Sequence, residues 1–251
     1  MASRRRTRVL ITGASSGLGE GIARTYAGQG RDLALAARRI DRLGQLKAEL
    51  AVAPGAGRIE VARLDVTDFD TVGPVVADLV ERLGGLDRAI VNAGAGKGAP
   101  LGTGKAHANL ETVQTNLTGA LAQVEAVLEV FRAQGFGHLV LMSSVAGQRG
   151  LPKAQAAYSA SKAGLTALGE GLQAEFAGTP IVVSVIKPGY IETDINAGLR
   201  SPMMVSREAG VAALAKAIER EPGEAVVPAW PWAPVSALLA HAPTEITRRM
   251  V

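Results

Sequence analysis

Short apolar, β-branched runs alternate along the chain with longer segments rich in helix-forming residues. Strands that alternate with helices are joined by right-handed crossovers into a mostly parallel sheet, covered by helices on both faces. The pattern therefore predicts an α/β, doubly wound, Rossmann-like fold with a seven-stranded sheet. The predicted strands are Arg8–Thr12, Asp32–Arg38, Arg58–Leu64, Asp87–Val91, Gly137–Ser143, Pro180–Lys187 and Glu224–Val227.

Several segments between these strands have the signals of helices. Apolar residues recur on one face from Asn109 to Gln134, which predicts one long helix. Helix formers also fill the segment from Ala156 to Leu172. Asp41 is the predicted cap of the helix after the second strand, and Thr67 and Asp68 are the candidate caps of the next one.

The composition fits one soluble globular domain over residues 1–251, with residues 229–251 as a C-terminal extension of it. Hydrophobic residues make up 47% of the chain and aromatic residues only 4%, so the core must be aliphatic. No apolar run approaches the roughly 20 residues of a membrane span, and the basic N-terminus passes directly into a strand. We therefore expect a cytoplasmic protein.

Charge and residue types exclude several kinds of site. The net charge of +4 arises largely from arginines near the two ends of the chain, which favours solvated tails over a nucleic-acid surface. The chain has no Cys, so disulfides, thiolate metal sites and a Cys nucleophile are excluded. His107, His138 and His241 are far apart and lack ligand spacing, so no metal site is predicted.

The loop after the first strand is rich in glycine. Glycine permits a tight turn and lets the backbone approach a pyrophosphate, whose charge the N-terminus of the following helix favours. Glycine-rich turns have other uses, but the position between a strand and a helix favours a dinucleotide site. The candidate cofactor residues in this loop are Gly13, Ser15, Ser16, Gly17, Leu18 and Gly19.

The end of the second strand indicates which dinucleotide is bound. An NAD site usually offers a carboxylate to the ribose 2′-hydroxyl about 20 residues after the glycine turn. This chain has Arg38 and Arg39 there instead. A guanidinium pairs with a 2′-phosphate and an acid repels it, so NADP(H) is favoured, with NADPH preferred over NADH. The alternative is an exposed strand end without a ligand.

Two more loops follow strands on the same edge of the predicted sheet. Asp65 is placed to accept a hydrogen bond from an adenine amino group, with Val66 supplying backbone donors and apolar contact; helix capping is the competing role of this segment. Asn92, Ala93 and Gly94 follow the fourth strand, where small residues let the backbone lie against the cofactor ribose. A plain glycine-rich turn is the open alternative.

The later part of the chain supplies groups for proton transfer. Tyr158 and Lys162 lie four residues apart, so in a helix they leave the same face. Ser143 and Ser144 come at the end of the fifth strand and alternate there, so only one of them can face the site. Asn116 lies within the predicted long helix, as an exposed polar position or as a distortion that frees a carbonyl for a water.

Together these features resemble the short-chain dehydrogenase/reductase family, in its single-domain branch, over nearly the whole chain. Each motif is modest, but the order and spacing of the set are specific. The residues that carry the resemblance are Thr12-Gly13-x-x-x-Gly17-x-Gly19, Asp65, Asn92-Ala93-Gly94, Asn116, Ser144, Tyr158-x-x-x-Lys162, Pro188-Gly189 and Thr193.

The resemblance implies hydride transfer between a nicotinamide and a carbonyl carbon, so that a ketone and a secondary alcohol are interconverted. Tyr158 is then the acid/base, and Lys162 lowers its pKa and binds the ribose. Ser144 holds the substrate oxygen, and Asn116 holds a water that links Lys162 to solvent. The expected activity is reduction of an apolar or ketoacyl-type substrate; a non-catalytic NADP-binding scaffold or sensor is the alternative.

The remaining implied contacts concern the nicotinamide and the substrate. Pro188 and Gly189 turn the chain after the sixth strand, and Thr193 bonds the carboxamide. Substrate choice is expected to reside in residues 190–206, 95–103 and 146–153. Within the first segment, an apolar lid and ordinary packing are both open interpretations of Ile195, Leu199, Met203 and Met204.

The tail and the tyrosine helix suggest contacts beyond the core. Trp230, Trp232, Leu238 and Leu239 cover the substrate pocket, contact another subunit or touch a membrane surface, and the first two interpretations are favoured because the apolar part is short. A face of small residues on the tyrosine helix would let another helix approach, which suggests a homodimer or homotetramer. Those residues are Ala160, Ala163, Gly164, Ala167 and Gly171.

Overall fold

The structure, a computed structural model, describes residues 6–96, 98–194, 201–241, 243 and 245. All seven predicted strands are present, each end lying within one residue of its predicted position. Strands β4 and β5 are buried along their whole length because helices cover both faces of the sheet. The strands are β1 (Arg8–Thr12), β2 (Asp32–Ala37), β3 (Ile59–Arg63), β4 (Arg88–Val91), β5 (Gly137–Met142), β6 (Ile181–Pro188) and β7 (Glu224–Val227).

The strands form one parallel sheet in the order β3-β2-β1-β4-β5-β6-β7. The chain winds outward from β1 to β3 and then returns to place β4 on the other side of β1. In register, Ile11 of β1 lies between Leu35 of β2 and Ile90 of β4. This reversal leaves a crevice at the carboxyl ends of β1 and β4, where doubly wound sheets bind ligands. The predicted fold class is confirmed.

Helices cover the sheet in two layers, each with its own aliphatic core. The core that includes Leu10, Leu79 and Val127 lies on one face, and the core that includes Ile11, Ile22 and Leu214 lies on the other. Leu10 and Ile11 are adjacent, so the period of two along β1 divides them between the faces. The helices are α1 (Gly17–Ala27), α2 (Ile40–Ala51), α3 (Phe69–Leu83), α4 (Ala106–Val113), α5 (Gly119–Gln134), α6 (Ala156–Glu175), α7 (Arg207–Glu219) and α8 (Ala229–His241).

The predicted long helix over 109–134 is not one regular helix. Helix α4 begins at Ala106, and a π-helical turn over Gln114–Thr118 separates it from α5. The apolar face predicted for the long helix is not buried throughout, since Leu110 and Leu121 are 67% and 40% exposed while Asn116 is buried. Such π-helical turns are frequent at functional sites, and this one contains Asn116.

The predicted helix caps were partly wrong. Helix α2 begins at Ile40, so Asp41 lies in the first turn, where its charge favours the helix dipole without capping it. Asp68 occupies the cap position of α3 but makes no side-chain capping bond. The Asp65 carboxylate accepts instead from the backbone and hydroxyl of Thr67, at 3.0 and 2.8 Å. A carboxylate that turns back on its own loop competes with capping of the helix.

In the described part of the chain, no helix is both long and apolar enough to cross a membrane. The cytoplasmic location stays a prediction.

A buried polar cluster at the start of β4 and β5 was not predicted. The Arg88 side chain is 1% exposed, and its Nε donates to Nδ1 of His138 at 2.8 Å. Since a guanidinium only donates, this His138 nitrogen accepts, and the other nitrogen carries the proton toward Ser184 Oγ at 2.8 Å. His138 is therefore a neutral imidazole in the fold.

Two carboxylates balance the charge of Arg88. Glu219 contacts Arg88 and also pairs with Arg31 at 2.9 Å, and Glu221 pairs with Arg6 at 2.8 Å. Burial alone would raise the pKa of Glu219, but Arg31 and Arg88 lower it to about 2. This carboxylate stays ionised at pH values well below the range in which a glutamate ordinarily titrates, so it loses its charge only under strongly acidic conditions.

The neutral state of His138 predicts how stability depends on pH. Burial, with the positive charges of Arg88 and Arg6, holds the pKa of His138 well below 6.5. Below pH 6.5 the unfolded chain therefore binds more protons than the folded one. The free energy of unfolding should fall by up to about 1.4 kcal/mol per pH unit from this group as the pH drops below 6.5.

Denaturant titrations between pH 7.5 and 5 measure this slope, in a range where the Glu219 carboxylate does not titrate. His138→Asn should flatten the slope, whereas His107→Asn, which replaces an exposed histidine, should leave it unchanged. An equally steep slope in His138→Asn and the wild type would contradict the assignment.

Candidate active site

A cavity of about 920 Å³ opens at the carboxyl ends of the strands, across the point where the strand order reverses. Every candidate site residue predicted from the sequence lines it except Gly19. The loops after β1, β2, β3 and β4 form one half of the cavity. The loops after β5 and β6, with α6, form the other half. Among the described residues, no cluster of His, Cys, Asp and Glu is suited to hold a metal ion.

The glycine loop has the shape that a phosphate site needs. Gly13 and Gly17 have φ values of +66° and +61°, and a Cβ on Gly13 would lie 2.8 Å from the Cα of Ala93. Helix α1 begins at Gly17, so its free N–H groups are exposed next to the cavity. Gly19 has a packing role instead, since a Cβ there would lie 2.6 Å from the Asn92 amide nitrogen.

Hydrogen bonds join this loop to the loop after β4. The Thr12 hydroxyl accepts from the backbone N–H groups of Asn92 and Ala93, both at 3.1 Å. The Asn92 side chain donates to the Thr12 carbonyl at 3.0 Å. Asn92 therefore holds the two loops together with its side chain, and the backbone of Ala93 and Gly94 lines the cavity.

At the outer end of the cavity, two arginines follow β2. Arg39 bends back to the glycine loop, where its guanidinium donates to Ser15 Oγ at 3.1 Å and to Ser16 Oγ at 2.6 Å. Arg38 is exposed at the cavity rim. Burial would raise the pKa of Asp65, but the hydrogen bonds from Thr67 and the charge of Arg38 lower it. Asp65 is thus an ionised acceptor on the cavity wall.

At the inner end, α6 brings Tyr158 and Lys162 to the cavity from two successive turns. The Lys162 ammonium donates to the Met142 carbonyl at 2.8 Å and lies 5.9 Å from the centroid of the Tyr158 ring. The Ser144 hydroxyl is a hydrogen-bond partner of Tyr158. It also accepts from the N–H of Ala146 at 3.1 Å, which caps a short 3-10 turn. That bond fixes the hydroxyl beside the phenol.

The structure separates the two serines as strand alternation predicts. Ser143 Oγ donates to the Lys162 carbonyl at 2.9 Å and lies 2.8 Å from Thr166 Oγ1. These bonds anchor α6 to the end of β5. Ser144 is therefore the serine whose hydroxyl is available beside Tyr158.

Asn116 lies in the π-helical turn, and its side chain holds the loop after β4. Its Oδ1 accepts from the N–H of Ala95 at 2.7 Å, and its Nδ2 donates to the Ala95 carbonyl at 2.9 Å. The same Nδ2 is 3.3 Å from Ser161 Oγ on α6. The amide thus links three elements of the cavity wall, and the predicted water contact of Asn116 stays a prediction.

The pKa values correct one expectation from the sequence. Burial raises the pKa of Tyr158, the Ser144 hydrogen bond opposes this only in part, and the nearby Tyr190 phenol adds to the rise. Burial also lowers the pKa of Lys162 to about 8. The expected lowering of the Tyr158 pKa by Lys162 is therefore wrong for the protein by itself. The loss of hydration of Tyr158 has a larger effect on its pKa than the Lys162 ammonium, which donates to the Met142 carbonyl and lies toward the ring.

Two further residues line the inner half. Tyr190, the first residue of the predicted substrate segment 190–206, lies close enough to Tyr158 to influence its pKa, and Gln155 also lines the cavity. No contact with Tyr158 was predicted for either residue from the sequence, although Tyr190 directly follows the Pro188-Gly189 turn, which lines the same cavity. The Thr193 side chain lies 3.7 Å from where a Cβ of Gly17 would be, so it meets the glycine loop across the cavity.

The three segments predicted to control substrate choice all contribute. Ala95 and Gly96 line the cavity from segment 95–103, Ala146 and Leu151 from segment 146–153, and Met203 from segment 190–206. Ile195 and Leu199 lie outside the described residues. Met204 does not line the cavity.

Comparison with known proteins gives a family match. The sequence model described as short chain dehydrogenase matches residues 7–204. The chain is 56% identical over 245 residues to a Mycobacterium tuberculosis protein named an uncharacterized oxidoreductase, and the match covers 97% of each chain. The matched segment contains the whole glycine loop and the inner group of Ser144, Tyr158 and Lys162.

Solved structures share the fold. An alcohol dehydrogenase from Thermococcus sibiricus, complexed with 5-hydroxy-NADP, superposes with a TM-score of 0.78 at 26% identity, over 88% of this chain and 96% of that one. An actinorhodin polyketide ketoreductase with NADPH gives a TM-score of 0.78 at 27% identity, over 90% and 97% of the two chains.

Proposed function

Because the chain belongs to the short-chain dehydrogenase/reductase family, we propose that it is an NADP(H)-dependent oxidoreductase that interconverts a ketone and a secondary alcohol, with reduction as its main direction. The observation that carries this proposal is the meeting of Ser144, Tyr158 and Lys162 in the same cavity as the glycine loop. The substrate is an apolar or ketoacyl-type carbonyl compound, and the catalytic unit is a single domain.

The cavity fits a dinucleotide. Gly13 and Gly17 have the left-handed φ values of +66° and +61° that shape the loop, and α1 begins at Gly17, which lines the cavity. The cofactor would be held by the glycine loop, Asp65, Val66, the backbone of Ala93 and Gly94, Lys162, the Pro188-Gly189 turn and Thr193. When bound, NADPH supplies the hydride for the carbonyl carbon.

The inner residues manage the proton. Tyr158 has a raised pKa, so near neutral pH the phenol is protonated and ready to donate to a ketone oxygen. Ser144 holds that oxygen by a hydrogen bond. After the transfer, Tyr158 must regain a proton, and Lys162, whose pKa of about 8 keeps it largely charged near pH 7, lies 5.9 Å from the Tyr158 ring centroid. This arrangement favours reduction.

Two observations support NADP over NAD. Arg38 and Arg39 directly follow β2 at the rim of the cavity, at the position where an NAD site usually offers a carboxylate. An arginine pairs with phosphate through a planar fork of donors. The alcohol dehydrogenase and the ketoreductase that share the fold are described with NADP-type cofactors.

Exposed surfaces on α4, α5 and α6 support a homodimer or homotetramer. Leu110 and Leu121 are 67% and 40% exposed. On α6, Ala160, Ala163 and Ala167 are exposed at intervals of three and four residues, so they form one face. Such a face lets a second helix approach closely.

Replacement of the acid tests the proposed reaction. Tyr158→Phe removes the donated proton, so NADPH oxidation with an apolar ketone should slow by about 10²- to 10⁴-fold while NADPH still binds.

Ser144→Ala should lower kcat by about 10²-fold, whereas Ser143→Ala should stay within a few-fold of the wild type. Steady-state kinetics and fluorescence titration of NADPH measure both effects. Full turnover in Tyr158→Phe would reject the mechanism, and a wild type that binds NADPH but reduces no ketone would favour a non-catalytic sensor or scaffold.

Cofactor choice is tested at the end of β2. Arg38→Ala removes a charged donor from the 2′-phosphate, so the Kd of NADPH should rise by about 10- to 100-fold and that of NADH by less than about 3-fold. Arg42→Ala, an exposed arginine on α2 away from the cavity, is the matched control and should change neither. Equal weakening of NADPH and NADH by Arg38→Ala would argue against a 2′-phosphate contact.

Oligomeric state is tested on the small-residue face. Light scattering after size exclusion should give the wild type a mass of two or four chains. Ala167→Arg places a long charged side chain on this face and should reduce the mass, while Ala51→Arg, at an exposed position on α2, should not. A monomeric wild type would contradict this assignment.

A further inference from the structure

Helix α8 adds a wall to the cavity from outside the segment that the family model matches. That match ends at residue 204, and α8 spans Ala229–His241. Three of its side chains nevertheless line the cavity, namely Trp232, Val235 and Leu239. We call these three residues the apolar wall.

Trp232 is seated at the inner end of the cavity by three contacts. Its side chain lies against Gly189, where an added Cβ would come within 2.3 Å of the indole ring. Its ring meets that of Tyr190 edge to face, with 4.8 Å between centroids and an interplanar angle of 71°. Its Nε1 donates to the Met203 carbonyl at 3.2 Å. With an exposure of 2%, Trp232 has one fixed position beside the Pro188-Gly189 turn.

Val235 and Leu239 continue this surface along α8. They follow Trp232 by three and seven residues, which places all three on one side of the helix. The remaining large apolar residues of α8 point the other way, because Trp230 is 79% exposed and Leu238 is 63% exposed. Only one side of α8 therefore belongs to the cavity.

A buried hydrogen-bond chain ties α8 to the sheet. Gln148 Nε2 donates to Ser236 Oγ at 2.9 Å, and Gln148 Oε1 accepts from the Lys187 ammonium at 2.9 Å. Lys187 lies near the end of β6 and pairs with Glu224 at the start of β7 at 2.6 Å. Since Lys187 and Ser236 are buried, this chain holds α8 against the strands. The apolar wall is a fixed part of the site.

The composition of the wall defines what it can contact. Trp232 and Leu239 are 2% and 5% exposed and Val235 is partly exposed, so closely packed carbon atoms line this side of the cavity, while the polar groups of the inner half lie at the reacting carbonyl. The seven steps from Trp232 to Leu239 rise about 10 Å along a helix, which matches an extended alkyl chain of roughly eight carbons. Burial of such a chain is favourable for each methylene removed from water.

We propose that the apolar wall is the specificity-determining surface of this enzyme and selects ketones and secondary alcohols that carry an unbranched alkyl chain of about eight carbons. This inference rests on the proposed ketone reductase function. The carbonyl lies at Tyr158 and Ser144, and the chain extends along Trp232, Val235 and Leu239. Short ketones reach the same proton donor without covering the wall.

The test compares 2-nonanone with 2-butanone as substrates of the full-length protein with NADPH. The wild type should prefer 2-nonanone in kcat/KM by about 1000-fold, since 2-nonanone has five more methylenes and each buried methylene contributes roughly 4-fold. Trp232→Ala, Val235→Ala and Leu239→Ala should each reduce this preference by about 5- to 10-fold, mainly through KM for 2-nonanone. Trp230→Ala and Leu238→Ala, the exposed neighbours on the same helix, should keep it.

The affinity for NADPH should stay unchanged in Val235→Ala, Leu239→Ala and the two control variants, which separates loss of the wall from general misfolding. If Trp232→Ala does not fold, the smaller Val235→Ala and Leu239→Ala changes decide the outcome. A wild-type preference that is unchanged in all three wall variants, or lost equally in the two control variants, would overturn the inference.

A binding measurement keeps the inference separate from the proposed function. The chain has two tryptophans, so in Trp230→Ala the emission comes from Trp232 alone. With NADPH present, 2-nonanone should change this emission in a saturable way, and 2-butanone at equal concentration should not. If the wild type reduces no ketone, the proposed function fails, while saturable binding of 2-nonanone still supports the wall. Absence of such binding overturns the wall, whether or not ketones are reduced.

Discussion

The Thr12 hydroxyl accepts hydrogen bonds from the backbone of Asn92 and Ala93. This contact joins the loops after β1 and β4, the two strands at which the strand order reverses. The joint is tight because Gly13 has no Cβ to keep it away from Ala93. On one side of it lie β2 and β3, whose carboxyl ends lead to Arg38, Arg39 and Asp65. On the other side lie β5 and β6, whose carboxyl ends lead to Ser144 and to the Pro188-Gly189 turn. A displacement of this joint would separate the two halves of the site.

Burial acts on titratable groups at both ends of the strands. At the amino end, it keeps His138 neutral within a network of arginines and carboxylates, where fixed hydrogen bonds offset part of the cost of desolvation. At the carboxyl end, it raises the pKa of Tyr158 and lowers that of Lys162. There the loss of hydration disfavours the charged form of both side chains.

The cavity also divides by origin along the chain. The glycine loop, the loops at the other strand ends and α6 fall within the matched segment 7–204. The wall from α8 comes from later in the chain and is attached through Gln148, Lys187 and Ser236. The two parts of the cavity thus rest on different structural supports, so the second can change while the geometry of the first is kept.

The sequence by itself determined the seven strands, their parallel arrangement and the identity of the residues that meet in the cavity. Those properties depend on local periodicity and on the rule that the carboxyl ends of parallel strands share one edge. The tertiary structure alone decided that Gly19 serves packing, that Asn116 lies in a π-helical turn holding Ala95, that the Tyr158 pKa rises, and that Trp232 faces the cavity while Trp230 faces solvent. Hydration and side-chain contacts depend on which distant residues surround a group, and the order of residues along the chain does not contain that information.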